Sequence, residues 1–343
     1  MVIAFYISGH GFGHASRSIE LIRALVDRNP SLHVLVKTTA PKWLVDVAAL
    51  ERVSWQHIET DVGMTQHDSI TIDLADTIRR AVEFYRRFDR RADAEARTLE
   101  AESTALVLGD IPPLAHAAAA RAGIRSIGIG NFTWDWIYEH YPAFQADAPA
   151  VLEQIRKSYA LADRALRLPM HGGFATFKEV VDVPLVARRS TRPREETRRM
   201  LNVPADRPLV LASFGAYGVS GMVPEHEDLT VLAPAAALAP PLRYQDIVAA
   251  ADLVLTKPGY GIVSECIANG TPMLYTSRGD FAEYDVFVAE MPRYLRCRFI
   301  PEDDVKAGRW RAHIDALLAQ PAPPERVQIN GAEVAAETIV GLI

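Results

Sequence analysis

Short apolar runs that stop at glycine or a polar residue recur along this chain, and helical stretches fill the gaps between them. Val2–Ser8 is the first run, bounded by Gly9, Leu32–Val36 is the second, and Ser54–Ile58 is a weaker third. Ala105–Leu108 ends in Gly109-Asp110, and Arg125–Ile129 ends in Gly130-Asn131. Between the runs, Ile19, Ile22 and Val26 share one face of a helix that starts near Ser16. A charged helical stretch covers about Ile72–Leu99, and helix returns at about Pro149–Leu161. Strands that alternate with helices imply a parallel sheet with helices on both faces.

The same grammar stops and restarts once. Arg188–Asp206 is polar, arginine-rich and broken by Pro193 and Pro204. Leu209–Ser213 is a strand again, followed by Phe214-Gly215-Ala216-Tyr217-Gly218. Asp252–Leu255 is another, followed by Lys257-Pro258-Gly259-Tyr260-Gly261 and a helix to about Asn269; Pro272–Tyr275 is the next, and a last helix starts from Glu325. A chain of 343 residues holds two domains at ~150 residues each. The expected layout is a first domain over 1–187, a connection over 188–207, a second domain over 208–320 and a C-terminal helix within 321–343. The second domain is abbreviated. Only 25 residues, Val219 to Arg243, separate its first loop from Tyr244, and four prolines break them. A full pair of βα units needs more chain.

Composition excludes some classes. The net charge of −6 offers no electrostatic platform for nucleic acid. The two cysteines, Cys266 and Cys297, are too few for a disulfide framework and have no metal-ligand spacing, which fits a reducing cytoplasm. Val2–Ser8 is short and lacks a basic lead-in, so it reads as a buried strand and not as a signal peptide. No apolar run approaches the ~20 residues of a membrane span.

The first loop reads GHGFGH, from Gly9 to His14. A dinucleotide fingerprint fails there twice: its third glycine falls on His14, and the second strand ends at Lys37 with no carboxylate to grip a ribose. Loop residues at the C-terminal edge of a parallel sheet face the functional crevice. An imidazole in that place suits a general base, which makes His14 the first candidate and His10, beside Gly11, the second. The alternative is that both histidines only cap the loop. In TKPGYGIVSECIANGTPML, Gly259 and Gly261 let backbone amides approach a phosphate, and the helix that follows offers its positive end to the same anion. Glu265, about one turn into that helix, is placed to accept two ribose hydroxyls, and Lys257 to neutralise a phosphate.

These two motifs together resemble GT-B glycosyltransferases, an α/β class with two Rossmann-like domains facing each other across a cleft. GHGFGHASRS and KPGYG look most like the glycosyltransferase-like domain of plant arabinokinases and its free-standing bacterial relatives, and more distantly like the lipid-II-forming N-acetylglucosaminyltransferase. The resemblance implies a catalytic pair, with His14 as base and Asp110 orienting it. It also implies that Ser213, Phe214 and Gly215 face the pyrophosphate, that Tyr244 holds the base of the nucleotide, and that Asp280 and Glu283 hold the donor sugar. On the bland reading, Asp110 caps a turn, Tyr244 is a core aromatic and Asp280 makes an Asx turn. The aromatic stretch from Asn131 to Tyr138 puts Trp134 and Trp136 on the acceptor side, as stacking platforms for a sugar ring or planar acceptor, or else as an interdomain contact or lid hinge.

The expected activity is inverting glycosyl transfer from a nucleotide-diphosphate sugar to a small-molecule or glycan acceptor. No cofactor and no metal are expected, since no two aspartates stand two apart. The rivals are an epimerase or hydrolase acting on the same nucleotide sugars, and a non-catalytic sensor or partner domain.

Overall fold

The computed structural model describes residues 1–43, 50–67, 71–214, 226–234 and 241–343. They form two compact units. The first comprises Met1–Thr65, Ile72–Val186 and Gln328–Ile343, and the second comprises Gln66–Thr71 and Ala187–Val327.

The first unit is built on β1 (Val2–Ile7), α1 (Gly13–Arg28), β2 (His33–Thr38), β3 (Val53–His57), α2 (Leu74–Arg86), α3 (Phe88–Ala101), β4 (Thr104–Asp110) and α4 (Pro113–Arg121). It continues with β5 (Ser126–Phe132), α5 (Trp134–Glu139), α6 (Pro142–Asp147), α7 (Pro149–Tyr159), β6 (Arg164–Gly172) and β7 (Val180–Asp182). The seven strands are all parallel, in the order β3-β2-β1-β4-β5-β6-β7. Chain order reverses between β1 and β4, where Ile7 stands opposite Asp110. That reversal is the topological switch point, and the loops leaving its two strands flank the natural ligand crevice of such a sheet. Strands buried on both faces read as unbroken apolar runs, as VIAFYI does.

The helical stretch expected over Ile72–Leu99 is two helices, parted at Arg87, whose amide bonds to Phe84 in a tightened last turn. β6 and β7 escaped sequence reading because RALRLPMHG alternates with charge and VVD is three residues long.

In the second unit the elements are α8 (Arg194–Met200), β8 (Leu209–Ser213), β9 (Thr230–Leu232), α9 (Tyr244–Ala250), β10 (Leu253–Thr256), α10 (Tyr260–Asn269), β11 (Met273–Tyr275), α11 (Glu283–Tyr294), β12 (Cys297–Phe299), α12 (Glu302–Lys306) and α13 (Arg311–Leu318). Its strands are parallel too, in the order β12-β11-β10-β8-β9, with the switch point between β8 and β10. Val210, Leu253, Leu255, Leu274 and Trp310 centre the core. The stretch after residue 187 packs as part of this unit: Arg198 bonds to the Ala250 and Arg207 carbonyls and to Asp252.

The last helix, α14 (Gly331–Val340), belongs to the first unit and packs on α1. Its entry is a close backbone approach. Leu185 donates to the Gln328 carbonyl at 3.0 Å, and Val186 bridges to Asn330. A Cβ at Gly331 would lie 2.0 Å from the Pro184 oxygen, so only glycine fits there. Among the described residues, no helix is long and apolar enough to cross a membrane.

Candidate active site

At the first switch point, β1 delivers the loop from Ser8 to Phe12, and α1 begins at Gly13. Gly9 lies so close to Thr39 that a Cβ would stand 1.8 Å from its hydroxyl. Gly11, at φ +68°, turns the chain where other residues are strained. The turn sets His14 on the first turn of α1, buried, with Nδ1 2.8 Å from Asp110 Oδ1 at the end of β4. The two residues meet although 96 positions separate them.

Asp110 is held by more than His14. Arg17, one helical turn beyond His14, donates from Nε to Oδ2 at 2.7 Å and from Nη2 to Oδ1 at 2.5 Å. Ser18 donates to Oδ2 at 2.8 Å, and Asn131 Oδ1 accepts from Arg17 Nη1 at 2.5 Å. Burial alone would raise the Asp110 pKa, but the charges and donors of Arg17 and His14 outweigh it and hold the carboxyl well below its usual range. An ionised carboxylate only accepts, so the 2.8 Å contact makes His14 Nδ1 the donor. In the neutral ring the lone pair then lies on Nε2, the atom a base needs.

A second carboxylate stands nearby. Asp61, beyond β3, accepts from Ser8 Oγ at 3.1 Å and from Trp134 Nε1 at 2.8 Å. Burial pushes its pKa up to about 6, and Asp110 adds to the rise, while Ser8, His14 and Trp134 oppose it. A carboxyl whose folded pKa exceeds its unfolded value of 3.8 adds stability below that value, and the contribution is lost as pH rises through about 6. The full effect corresponds to about 3 kcal/mol. Asp61→Asn can still accept from the indole and donate to Ser8. Its stability relative to the wild type is therefore expected to rise between about pH 4 and pH 7 by an amount of that order. Urea melts across that range measure it, and a pH-independent difference would refute it.

Trp134 corrects an expectation. It is 1% exposed, bonded to Asp61, and packed by Phe132, Tyr138, His10 and His14, so it has no open face for a sugar ring. It shapes the histidine pair instead. Trp136 is half-buried over Gly172 and Gly173, where a Cβ would come within 2.4 and 2.9 Å of it. His10 is half-buried and accepts from the Met64 amide at 3.3 Å. Lys37 is fully buried against Glu95 at 2.7 Å.

At the second switch point, Ser213 ends β8 and its hydroxyl meets the Tyr244 hydroxyl at 2.6 Å. Phe214 is 2% exposed and its ring sits in the core, which leaves only its backbone for a ligand. Gly215 lies outside the described residues. Lys257 and Pro258 follow β10, and Gly259 caps α10 without a side-chain bond. Gly261 falls in the first turn of that helix. Glu265 is 2% exposed, and its Oε1 takes Arg188 Nε at 2.6 Å and Nη2 at 2.5 Å. The Arg188 guanidinium also lies 5.3 Å from the Tyr244 ring centroid. Burial, reinforced by Glu265, keeps the Tyr244 phenol protonated. Asp280 is exposed. Glu283 is buried and pairs with Arg278 Nη1 at 3.2 Å. Arg278 also donates to the Pro258 carbonyl at 3.3 Å and lies over Phe281, and its buried Nε has no hydrogen-bond partner among the described residues.

Sequence reading missed Arg17, Ser18, Asn131 and Asp61 in the first unit, and Arg188 and Arg278 in the second. Arg17 carried a usable signal, since residues three apart on a helix share a face. Asp61 and Arg188 carried none. Among the described residues, no group of three or more His, Cys, Asp or Glu side chains is placed to hold a metal.

No family model matches the chain. Over 99% of its length it is 31% identical to the L-arabinokinase of Arabidopsis thaliana, and it spans 35% of that protein, about a third. Among solved structures, the glycosyltransferase of kitacinnamycin superposes with a TM-score of 0.64 at 18% identity, over 100% of this chain and 99% of that one. This chain has the GT-B glycosyltransferase fold. The GT-B likeness extends to CalG4, the calicheamicin glycosyltransferase, at a TM-score of 0.61 and 18% identity over 99% and 98% of the two chains. UGT2 of Phytolacca americana, complexed with UDP-2fluoro-glucose and pterostilbene, shares the GT-B architecture at 0.57 and 13% over 99% and 98%.

Proposed function

We propose that this GT-B chain transfers a glycosyl group from a nucleoside-diphosphate sugar to a hydroxyl acceptor, with inversion. The observation that carries the reading is the His14–Asp110 contact of 2.8 Å at the first switch point, which leaves Nε2 to take a proton. The acceptor oxygen attacks the anomeric carbon from the face opposite the diphosphate. His14 Nε2 receives the acceptor proton as the bond to the diphosphate breaks. The leaving charge falls to the amides opening α10, with Lys257 and Arg278 beside them. In this assignment the first unit serves the acceptor and the second the donor. Ser213 and Tyr244 border the nucleotide, Glu265 the ribose, and Asp280 and Glu283 the sugar.

A panel of nucleotide sugars, with and without candidate acceptors, tests it. Consumption of a donor only when an acceptor is present supports transfer. Acceptor-independent turnover points to an epimerase or hydrolase. A non-catalytic nucleotide-sugar sensor has one observation in its favour, the short stretch of 25 residues between the first loop of the second domain and Tyr244, and would bind a donor without consuming it.

Because backbone amides and two cations meet the diphosphate here, activity is expected to survive chelation. A loss in EDTA that magnesium or manganese restores would remove this mechanism.

A further inference from the structure

The carboxylate that meets His14 is more fully engaged by Arg17 than by His14 itself. Each Asp110 oxygen takes two donors: Oδ1 takes Arg17 Nη2 and His14 Nδ1, and Oδ2 takes Arg17 Nε and Ser18 Oγ. The third arm of the guanidinium is fastened to Asn131. The fork thus spans the ends of β4 and β5, and Asp110 has no freedom to turn. Arg17 itself is 5% exposed. An arginine is seldom buried so deeply without a fixed partner geometry. Its Nη2 also stands 3.0 Å from His14 Nδ1, two donors converging on one oxygen. When His14 takes a proton, two cations share one carboxylate.

We propose that Arg17 is a positioning residue for His14. It fixes Asp110 in the orientation that selects the Nδ1–H tautomer, and it cancels part of the carboxylate charge that would otherwise hold the imidazole protonated. The ring is thereby aligned by Asp110 while its Nε2 stays open to receive a proton. The inference rests on the reading of His14 as the base, but its test needs no substrate. The titratable and charged groups around the ring are Arg17 on α1, Asp110 on β4, Asp61 beyond β3, and His10 across Trp134. Among the described residues, only Arg17 and Asp110 are within hydrogen-bonding distance of it, so they dominate the balance.

The experiment is a pH titration of histidine ring signals by NMR on the full chain, with the His14 signal identified by its loss in His14→Gln. Arg17→Met is expected to raise the pH at which His14 titrates by about one unit or more, because the like charge goes and Asp110 remains. Asp110→Asn is expected to lower it, because Arg17 then stands unopposed. Arg17→Lys, which keeps the charge, is expected to stay near the wild type. The other nine histidines report whether each variant is folded. Arg17→Gln, which keeps a donor for Asp110 without the charge, stands in for Arg17→Met if that variant does not fold. A His14 titration that is unmoved or lowered in a folded Arg17→Met or Arg17→Gln overturns the proposal, as does failure of both to fold, which would make Arg17 a fold residue only. If no nucleotide sugar is ever turned over, the transfer reading fails and this result still stands.

Discussion

His14→Ala is expected to lower turnover by about 10²–10⁴-fold, the usual cost of losing a general base. Donor affinity should stay near the wild-type value. His14 sits in the first unit, and the groups proposed for the nucleotide are all in the second. Its loss therefore removes an interaction made mainly in the transition state, which lowers kcat with little change in KM for the donor. Asp110→Asn should act in the same direction, since the amide can present a donor to Nδ1 and so select the wrong tautomer. The double variant should be little worse than His14→Ala alone, because the two residues work as one unit. Steady-state kinetics with the donor found in the panel decide the matter. Near-normal turnover in His14→Ala, or losses that simply multiply, would end the assignment and leave His10 as the next base to examine.

Glu265→Ala is expected to be the most damaging change in the second unit. Its carboxylate is buried and holds the Arg188 fork through Oε1. Removing one partner of a buried pair costs about 3–5 kcal/mol. Arg188 keeps 21% of its side chain in solvent, so the lower end of that range applies. Arg188→Ala combined with Glu265→Ala should recover much of the stability, since no charge is then stranded. Donor binding should not recover. If Glu265 accepts ribose hydroxyls, each lost charge-assisted bond is worth about 1.5–3 kcal/mol. Unfolding in urea and calorimetry with nucleoside diphosphates separate the two effects. Unchanged affinity in the folded double variant would take Glu265 out of the donor site and leave it as the Arg188 counter-ion.

The parallel α/β architecture was legible in the strand–glycine–helix grammar, because burial on both faces of a sheet forces apolar runs that are visible locally. The pairing of His14 with Asp110 came from the resemblance and not from the local pattern; a parallel sheet, which brings all its strand ends to one edge, is what allows residues 96 positions apart to meet there. The short edge strands β7, β9 and β12 were not legible: β11 is as short but wholly buried and so reads as an apolar run, whereas these three are partly exposed. The final helix was expected, but its place against α1 depends on a backbone approach at Gly331 that no local pattern encodes.

The amino-acid order by itself determined where the long apolar strands lie, which loops after them carry glycine, and that His14, Asp110 and Glu265 stand just beyond strand ends. Tertiary structure alone decided what those side chains touch. Arg17 and Asp110 are 93 positions apart, Asp61 and Trp134 73, and Arg188 and Glu265 77. Each pair is a contact between buried or half-buried polar groups, and such groups take whichever partner the packed core brings within reach. Periodicity reports which face of an element is buried. It does not report what is buried opposite, and that is where the guanidinium beside the candidate base and the one beside the candidate ribose acid came from.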